Sequence, residues 1–356
     1  MSISFEKLKV EAQIQGFPIV GVVKPQYFMD LKERLDRFVN EGYHFAFNNQ
    51  DIEEKCNPFK TMENCKSIIV LGLPYFVEPL QDTNKNTGGV IFRGELARTA
   101  WGEDYHRVFH RNMKNLGLSL EKLCSNIAYQ SYVDTGPLVD RYLAAKANLG
   151  SYGYNNLFYH PKYGSFVFYG YMLINQEVEG LKYLKPEIVS KTLSLCKDCK
   201  LCIKSCPGEA IESPYRLNAN RCISGILQSK GIMPDENKTR IGNRIYGCDE
   251  CQNVCPYNAE LEYSPVSSFI PTTLPENPDL IKLLNLTNKE FKEIYGNNAS
   301  AWRGARVLKR NALIVLGNLE DPEAIPYIRP FLKDERDDLR DAAQWTLSKL
   351  ENIEKK

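Results

Sequence analysis

The sequence predicts three parts in series: an α/β domain over residues 1–185, a cysteine-rich domain over 186–265, and a linker with an all-helical region over 266–356. Three observations predict this. Short apolar runs alternate with helix-period patterns in the first part. Eight of the eleven cysteines fall between Cys196 and Cys255. A proline-rich stretch (Pro265, Pro271, Pro275, Pro278) then precedes patterns that are all helical in spacing.

In the first part, Ile19–Val23 and Ser67–Gly72 read as buried strands. Ile127–Val133 and the aromatic-rich Ser165–Leu173 are two further candidates. Phe109, Met113, Leu116, Leu120 and Leu123 recur on one face of a helix, and Leu138–Ala147 reads as another helix ending towards Gly150. In the tail, Leu308, Ala312, Val315 and Leu319 mark one helix. Asp321-Pro322 caps and opens the next. Leu339, Ala343, Leu347 and Leu350 mark the last. Asp338-Leu339-Arg340 with Ala343 and Leu347 resembles a HEAT repeat unit, and a simple helical cap is the alternative.

Composition excludes several classes. Forty-five Lys+Arg against 44 Asp+Glu give a net charge of +1, which leaves no basic nucleic-acid coat and no acidic tail, only local patches. No apolar run is long enough for a membrane span. Met1–Lys7 shows no basic segment leading into an apolar one, so the expected location is cytoplasmic. Thiols stay reduced there, which turns a cysteine cluster into a metal site rather than a disulfide framework.

The spacing names the metal site. Cys196-x2-Cys199-x2-Cys202-x3-Cys206-Pro207 is the run of bacterial two-cluster ferredoxins, whose fourth cysteine serves the other cluster. Cys248-x2-Cys251-x3-Cys255-Pro256, with Cys222 upstream, supplies the complement. Crossing over assigns Cys196, Cys199, Cys202 and Cys255 to one [4Fe-4S] cluster, and Cys206, Cys222, Cys248 and Cys251 to the other. Zinc also accepts four thiolates, but paired zinc ribbons space their ligand pairs more widely. Cys56, Cys65 and Cys124 read as small apolar or loop residues. No Gly-x-Gly-x-x-Gly follows a strand and no Walker-type loop is present, so a nicotinamide or nucleoside triphosphate cofactor is not supported. Two clusters supply one-electron steps, and the α/β part must use them.

Further segments carry a resemblance. They are Glu54-Lys55-Cys56-Asn57-Pro58, Arg98 with Trp101-Gly102-Glu103-Asp104-Tyr105-His106, Val133-Asp134-Thr135-Gly136-Pro137, Asp140-Arg141 and Tyr163-Gly164-Ser165. Asn220-Arg221-Cys222-Ile223-Ser224, Asn243-Arg244-Ile245-Tyr246-Gly247-Cys248-Asp249 and Ser300-Ala301-Trp302-Arg303-Gly304 complete the set. With the cysteine motifs they run in order from about residue 50 to 350, and the chain resembles the epoxyqueuosine reductase family. The resemblance implies an α/β cobalamin-binding domain beside a ferredoxin-like domain with two [4Fe-4S] clusters. The implied reaction is two-electron reduction of epoxyqueuosine to queuosine at the tRNA wobble position. It implies Asp134 as the proton donor, kept protonated by desolvation in the cofactor-covered pocket, with Tyr105 as a second catalytic candidate. It implies cobalamin contacts from Asn57, Arg98, Asp134, Phe158, Tyr169, Ser224 and Asp249, some through backbone. Relatives commonly carry Gly-Leu-Gly-x-x-Gly-Lys-Asn, whereas this chain reads Asn148-Leu149-Gly150-Ser151-Tyr152-Gly153-Tyr154-Asn155, with Tyr154 in place of the lysine.

A tRNA partner is consistent with two local basic segments. Residues 289–310 hold six basic side chains against two acidic, and 221–244 hold five against two. Lys230, Arg303, Arg306, Lys309 and Arg310 are the expected phosphate contacts, and Trp302 is a stacking candidate. A monomer and a separate low-potential electron donor are expected. A cobalamin-dependent reductive dehalogenase and a non-catalytic iron–sulfur electron carrier or RNA-binding adaptor are the competing readings.

Overall fold

The computed structural model describes residues 2–43, 51–79, 92–180, 196–272 and 274–354. Four strands form the central sheet: β1 (Ile19–Val23), β2 (Ser67–Pro74), β3 (Tyr129–Val133) and β4 (Val167–Ile174). Their order is β1-β2-β4-β3 and every pairing is antiparallel. Helices and strands mix as the sequence predicts. The sheet is not the parallel kind in which active sites gather at strand C-termini, so that rule is not what places Asp134.

Strand β2 is buried along its whole length, because helices cover both sheet faces. Its alternation sorts the two sides. Ile69, Leu71 and Leu73 share a core with Leu8 of α1 (Phe5–Ile14) and with Phe109, Met113 and Leu116 of α2 (Tyr105–Leu123). Ile68 and Val70 share the other with Leu143 and Ala144 of α3 (Asp140–Lys146). Gly117 lets α2 lie close to β3: a Cβ there would stand 2.2 Å from the Tyr129 ring.

The cysteine segments are short helices and turns wrapped onto this base. Strand β5 (Arg244–Tyr246) pairs in parallel with Glu95–Leu96, which stitches the cluster segment to the α/β part. Gly247, at φ +69, turns the chain from that strand into Cys248. Ser165, Gln252 and Asn258 form a buried hydrogen-bonded knot across the same seam.

In the tail, α4 (Ala305–Asn318) packs on α5 (Asp337–Glu354). Hydrogen bonds join Arg306 to Asp338, Leu313 to Thr346 and Asn318 to Lys349, at sequence separations of 32, 33 and 31. A near-constant separation means that the two helices run parallel, with Ile325–Ile328 and the Arg329–Lys333 turn on the return path. The core is continuous from Leu8 and Phe109 through Ile226 and Ile245 to Leu313 and Leu350.

Two expected phosphate contacts are corrected here. Arg310 is 1% exposed and donates to the carbonyls of Ser229, Gly231 and Leu227. Lys309 is 9% exposed and donates to the carbonyl of Leu286. Both charges close off backbone acceptors inside the fold and do not face RNA. Cys56, Cys65 and Cys124 are buried as expected.

Candidate active site and cluster centres

Strand β3 ends at Val133, and Asp134 follows in the left-handed region at φ +57. Its backbone N–H donates to Asp140 Oδ2 at 2.9 Å, which fixes the turn. The Asp134 side chain stays 59% exposed in an open bay. Asp104 caps α2 by accepting the His106 N–H, so Tyr105 and His106 stand on the first turn, facing Asp134. Tyr105 donates its hydroxyl to Asp134 Oδ2 at 2.8 Å. His106 places Nε2 3.6 Å from the same oxygen and Nδ1 2.8 Å from Asp104 Oδ1.

The electrostatics of the bay follow from its contacts. Burial acts to raise the Asp134 carboxyl, but the contacts with His106 and Tyr105 and the charges of His106 and Arg141 outweigh it. In this open bay Asp134 is held below the usual carboxylate range, towards its ionised form. Burial acts to lower His106, yet Asp104 and Asp134 lift it to about 9. The proton therefore sits on the imidazole. Burial and Asp134 hold Tyr105 protonated. Asp140, behind, is pushed well up by burial and by the Asp134 charge.

Four stacked rings lead away from this bay: His106, Tyr105, Phe168 and Tyr75, each centroid 4.1 Å from the next. The Tyr75 hydroxyl meets Gln252, and Gln252 donates to Asp249 at 3.0 Å. Asp249 lies between Cys248 and Cys251 and accepts the Arg98 backbone N–H at 2.7 Å. Burial lifts its carboxyl to about 6. The Arg98 guanidinium is sandwiched at 4.6 Å from the Phe76 ring and 4.2 Å from Trp101, and donates to the Val77 carbonyl. Arg98 and Asp249 share a polar cleft of about 240 Å³ with Trp101, Glu95 and Glu276.

The first of the crossed-over sets gathers around one cavity. Cys196, Cys199, Cys202 and Cys255 line one cavity, with Tyr154, Asn155 and Tyr159 on its wall. Tyr154 thus fills its place at the cluster rim with a ring. Cys251 feels the charges of Cys222, Cys248 and Cys206, and Cys222 that of Cys206, which groups the second set. Cys251 also feels Cys202, so the two sets adjoin. Zinc would draw its four sulfurs to roughly 3.8 Å from one another. The first set lines a cavity instead, and among the described residues no three His, Cys, Asp or Glu side chains are placed to hold one metal ion.

The other expected contacts are dispersed. Asn57 spends its carbonyl oxygen on the Phe59 N–H, and Ser224 accepts from Gln228. Phe158 and Tyr169 are both buried and meet edge to face at 5.4 Å. The Tyr169 hydroxyl is buried without a hydrogen-bond partner among the described residues. Lys230 is exposed. The Arg303 guanidinium lies 3.7 Å over the ring of Trp302, itself 49% exposed, and Arg306 is held by Asp337 and Asp338. Sequence reasoning gave no role to His106, Asp104 or Asp140. An Asp-x-His pair opening a helix was the available signal for the first two.

Comparison with known proteins adds the family. Residues 195–258 match the 4Fe-4S double cluster binding domain, and residues 55–135 match the model described as epoxyqueuosine reductase QueG, DUF1730. The chain is 37% identical over 352 residues to the epoxyqueuosine reductase of Lactococcus garvieae (strain Lg2), covering 98% of this chain and 95% of that one. It is 35% identical to the epoxyqueuosine reductase of Bacillus subtilis (strain 168), over 97% of this chain and 87% of the other. A crystal structure of an epoxyqueuosine reductase with an epoxyqueuosine-modified tRNA-Tyr stem loop superposes with a TM-score of 0.89 at 35% identity, covering 97% and 89% of the two chains.

Proposed function

The chain belongs to the epoxyqueuosine reductase family and reduces epoxyqueuosine to queuosine in tRNA; from that premise we propose the parts its residues play. The reaction opens an epoxide, consumes two electrons and two protons, and releases water. The electrons travel through the two [4Fe-4S] clusters of residues 195–258. Cobalamin, when bound, supplies low-potential electrons to carbon. The unpartnered Tyr169 hydroxyl fits a corrin amide, and Phe158 beside it offers an apolar wall. Asn57 Oδ1 and Ser224 Oγ already accept hydrogen bonds, so these residues would meet the corrin through backbone or through their remaining donors. Arg98 and Asp249 shape the cleft beside the second cluster.

Asp134 delivers the proton to the substrate oxygen, and Tyr105 holds its carboxylate in aim. The observation that carries this reading is the Asp134 carboxylate itself. It is presented in an open bay and joined by four stacked rings to the Cys248–Cys251 loop. We also infer that residues 1–185, 186–265 and 266–356 act as cofactor, cluster and tRNA-contact parts. The parallel pair α4 and α5 is then a HEAT-like stack. Lys230, from the segment after Cys222, and Arg303 with Trp302, in the turn just before α4, face the RNA beside it. The protein works as a cytoplasmic monomer served by a separate low-potential donor.

The test is nucleoside mass spectrometry of tRNA from cells lacking this chain and any other such reductase. A copy carrying Asp134→Asn should leave a queuosine precursor one oxygen heavier, which the wild-type copy removes. If the variant clears the precursor normally, Asp134 is not the donor.

A further inference from the structure

The reaction uses two protons, and Asp134 holds none at rest. In the overall conversion one carbon–oxygen bond breaks and the oxygen takes a proton to become a hydroxyl. The second carbon–oxygen bond breaks as the carbon–carbon double bond forms, and the hydroxyl leaves with the second proton as water. Both electrons come through the cluster chain of the established activity. Some group must therefore load Asp134 twice per turnover.

We propose that His106, aligned by Asp104, is that relay: each proton passes from solvent to His106 Nε2, then to Asp134, then to the substrate oxygen. The inference rests on the family reading above and deepens it. The geometry argues for transfer over simple orientation. Tyr105 already fixes Asp134 Oδ2 at 2.8 Å, so a second donor at 3.6 Å adds little hold. What it adds is a proton. Asp104 receives Nδ1–H at 2.8 Å, which leaves Nε2 as the end that gives. The His106 side chain is 31% exposed, so it can recharge from solvent. The alkoxide formed on opening an epoxide is far more basic than an imidazole, so the transfer runs downhill.

The ionisable surroundings of His106 are few. Asp104 and Tyr105 precede it, Asp134 faces it from the end of β3, and Asp140 and Arg141 stand behind Asp134 on α3. Tyr246 of β5 feels Asp104 and Asp134. Arg107 supports the ionised form of Asp104. The two carboxylates beside the ring favour its cationic form.

The experiment has two readouts. Single turnover of the reduced holoenzyme with the modified stem loop should slow by about 10²-fold in His106→Gln, with stem-loop affinity unchanged. The wild-type rate should fall above about pH 9, and the variant should lack that limb. The chain has four histidines, so ¹³C-imidazole NMR of the holoenzyme, assigned with His106→Gln, reads the ring directly. Its midpoint should lie near 9 and drop in Asp104→Asn. A midpoint near the ordinary value of about 6.5, or His106→Gln with a wild-type rate and an intact alkaline limb, overturns the relay. If His106→Gln loses its iron, Asp104→Asn serves instead: it keeps the ring and should move the limb to lower pH. Wild-type enzyme that leaves the epoxide untouched overturns the family reading, and the imidazole midpoint then decides the relay alone.

Discussion

Asp134 sits at a backbone conformation that costs most side chains energy, and Asn is among the few that adopt it readily. Asp134→Asn is therefore a change of chemistry at nearly constant structure, which Asp134→Ala is not. The ionic triad around it also sets a pH window for stability. His106 is raised in the folded state, so its contribution is complete below an unfolded value of about 6.5 and is lost as pH rises through about 9. Asp104 and Asp134 are depressed, so theirs is present above the ordinary carboxylate range and is lost as pH falls through their lower folded values. Anaerobic thermal melts of wild type should show a midpoint that declines between about pH 7 and 9.5. His106→Gln should flatten that decline; an identical slope in both would remove His106 from the account. The motif around Asp134 was legible in sequence. Its ionisation was not, because it depends on α2 presenting His106 across the bay.

At the scale of elements, the tail helix α4 is a pin. Its Arg310 closes three carbonyls of the segment after Cys222, and Asn311 shares that of Leu227 and closes one more, that of Ile245. Arg310→Met keeps the apolar stem and orphans the acceptors. It should cost about 2–3 kcal/mol of stability in anaerobic denaturation. A loss within about 0.5 kcal/mol, the usual range for surface substitutions, would return Arg310 to the surface. A charge count over 289–310 cannot see this. The partners of Arg310 lie 81 and 79 residues away in sequence, and burial is decided by them. The strands were legible because their apolar runs are local. Their antiparallel order was not, since it depends on pairings such as Gly72 with Tyr169 across nearly a hundred residues. The double-cluster domain was the most legible feature, because cluster binding needs cysteines at short, recognisable spacings.

Across the whole molecule, fewer of the expected phosphate contacts stand at the surface than the sequence suggests. Lys309 and Arg310 are internal and Arg306 is held by Asp337 and Asp338, so the contacts proposed from the five named residues are Lys230 and Arg303, the latter stacked on Trp302. Alanine at either should reduce the slope of log affinity against log salt by roughly 0.7–0.9, read by stem-loop binding titrations. Arg310→Met, wherever it folds, should leave the slope alone. Equal slopes for all three would place the phosphate contacts elsewhere.

The parallel register of α4 and α5 has a further bearing. Two helices offset by 32, 33 and 31 residues at successive contacts are related by something close to a translation. A translation can be applied again. A third helix could meet α5 as α5 meets α4, with its own return turn, and nothing near Asp134 or the thiols would shift. The length of the tail is then set by how many times such a helix and its return turn are copied. The chemistry and the length of the tail are free to evolve separately.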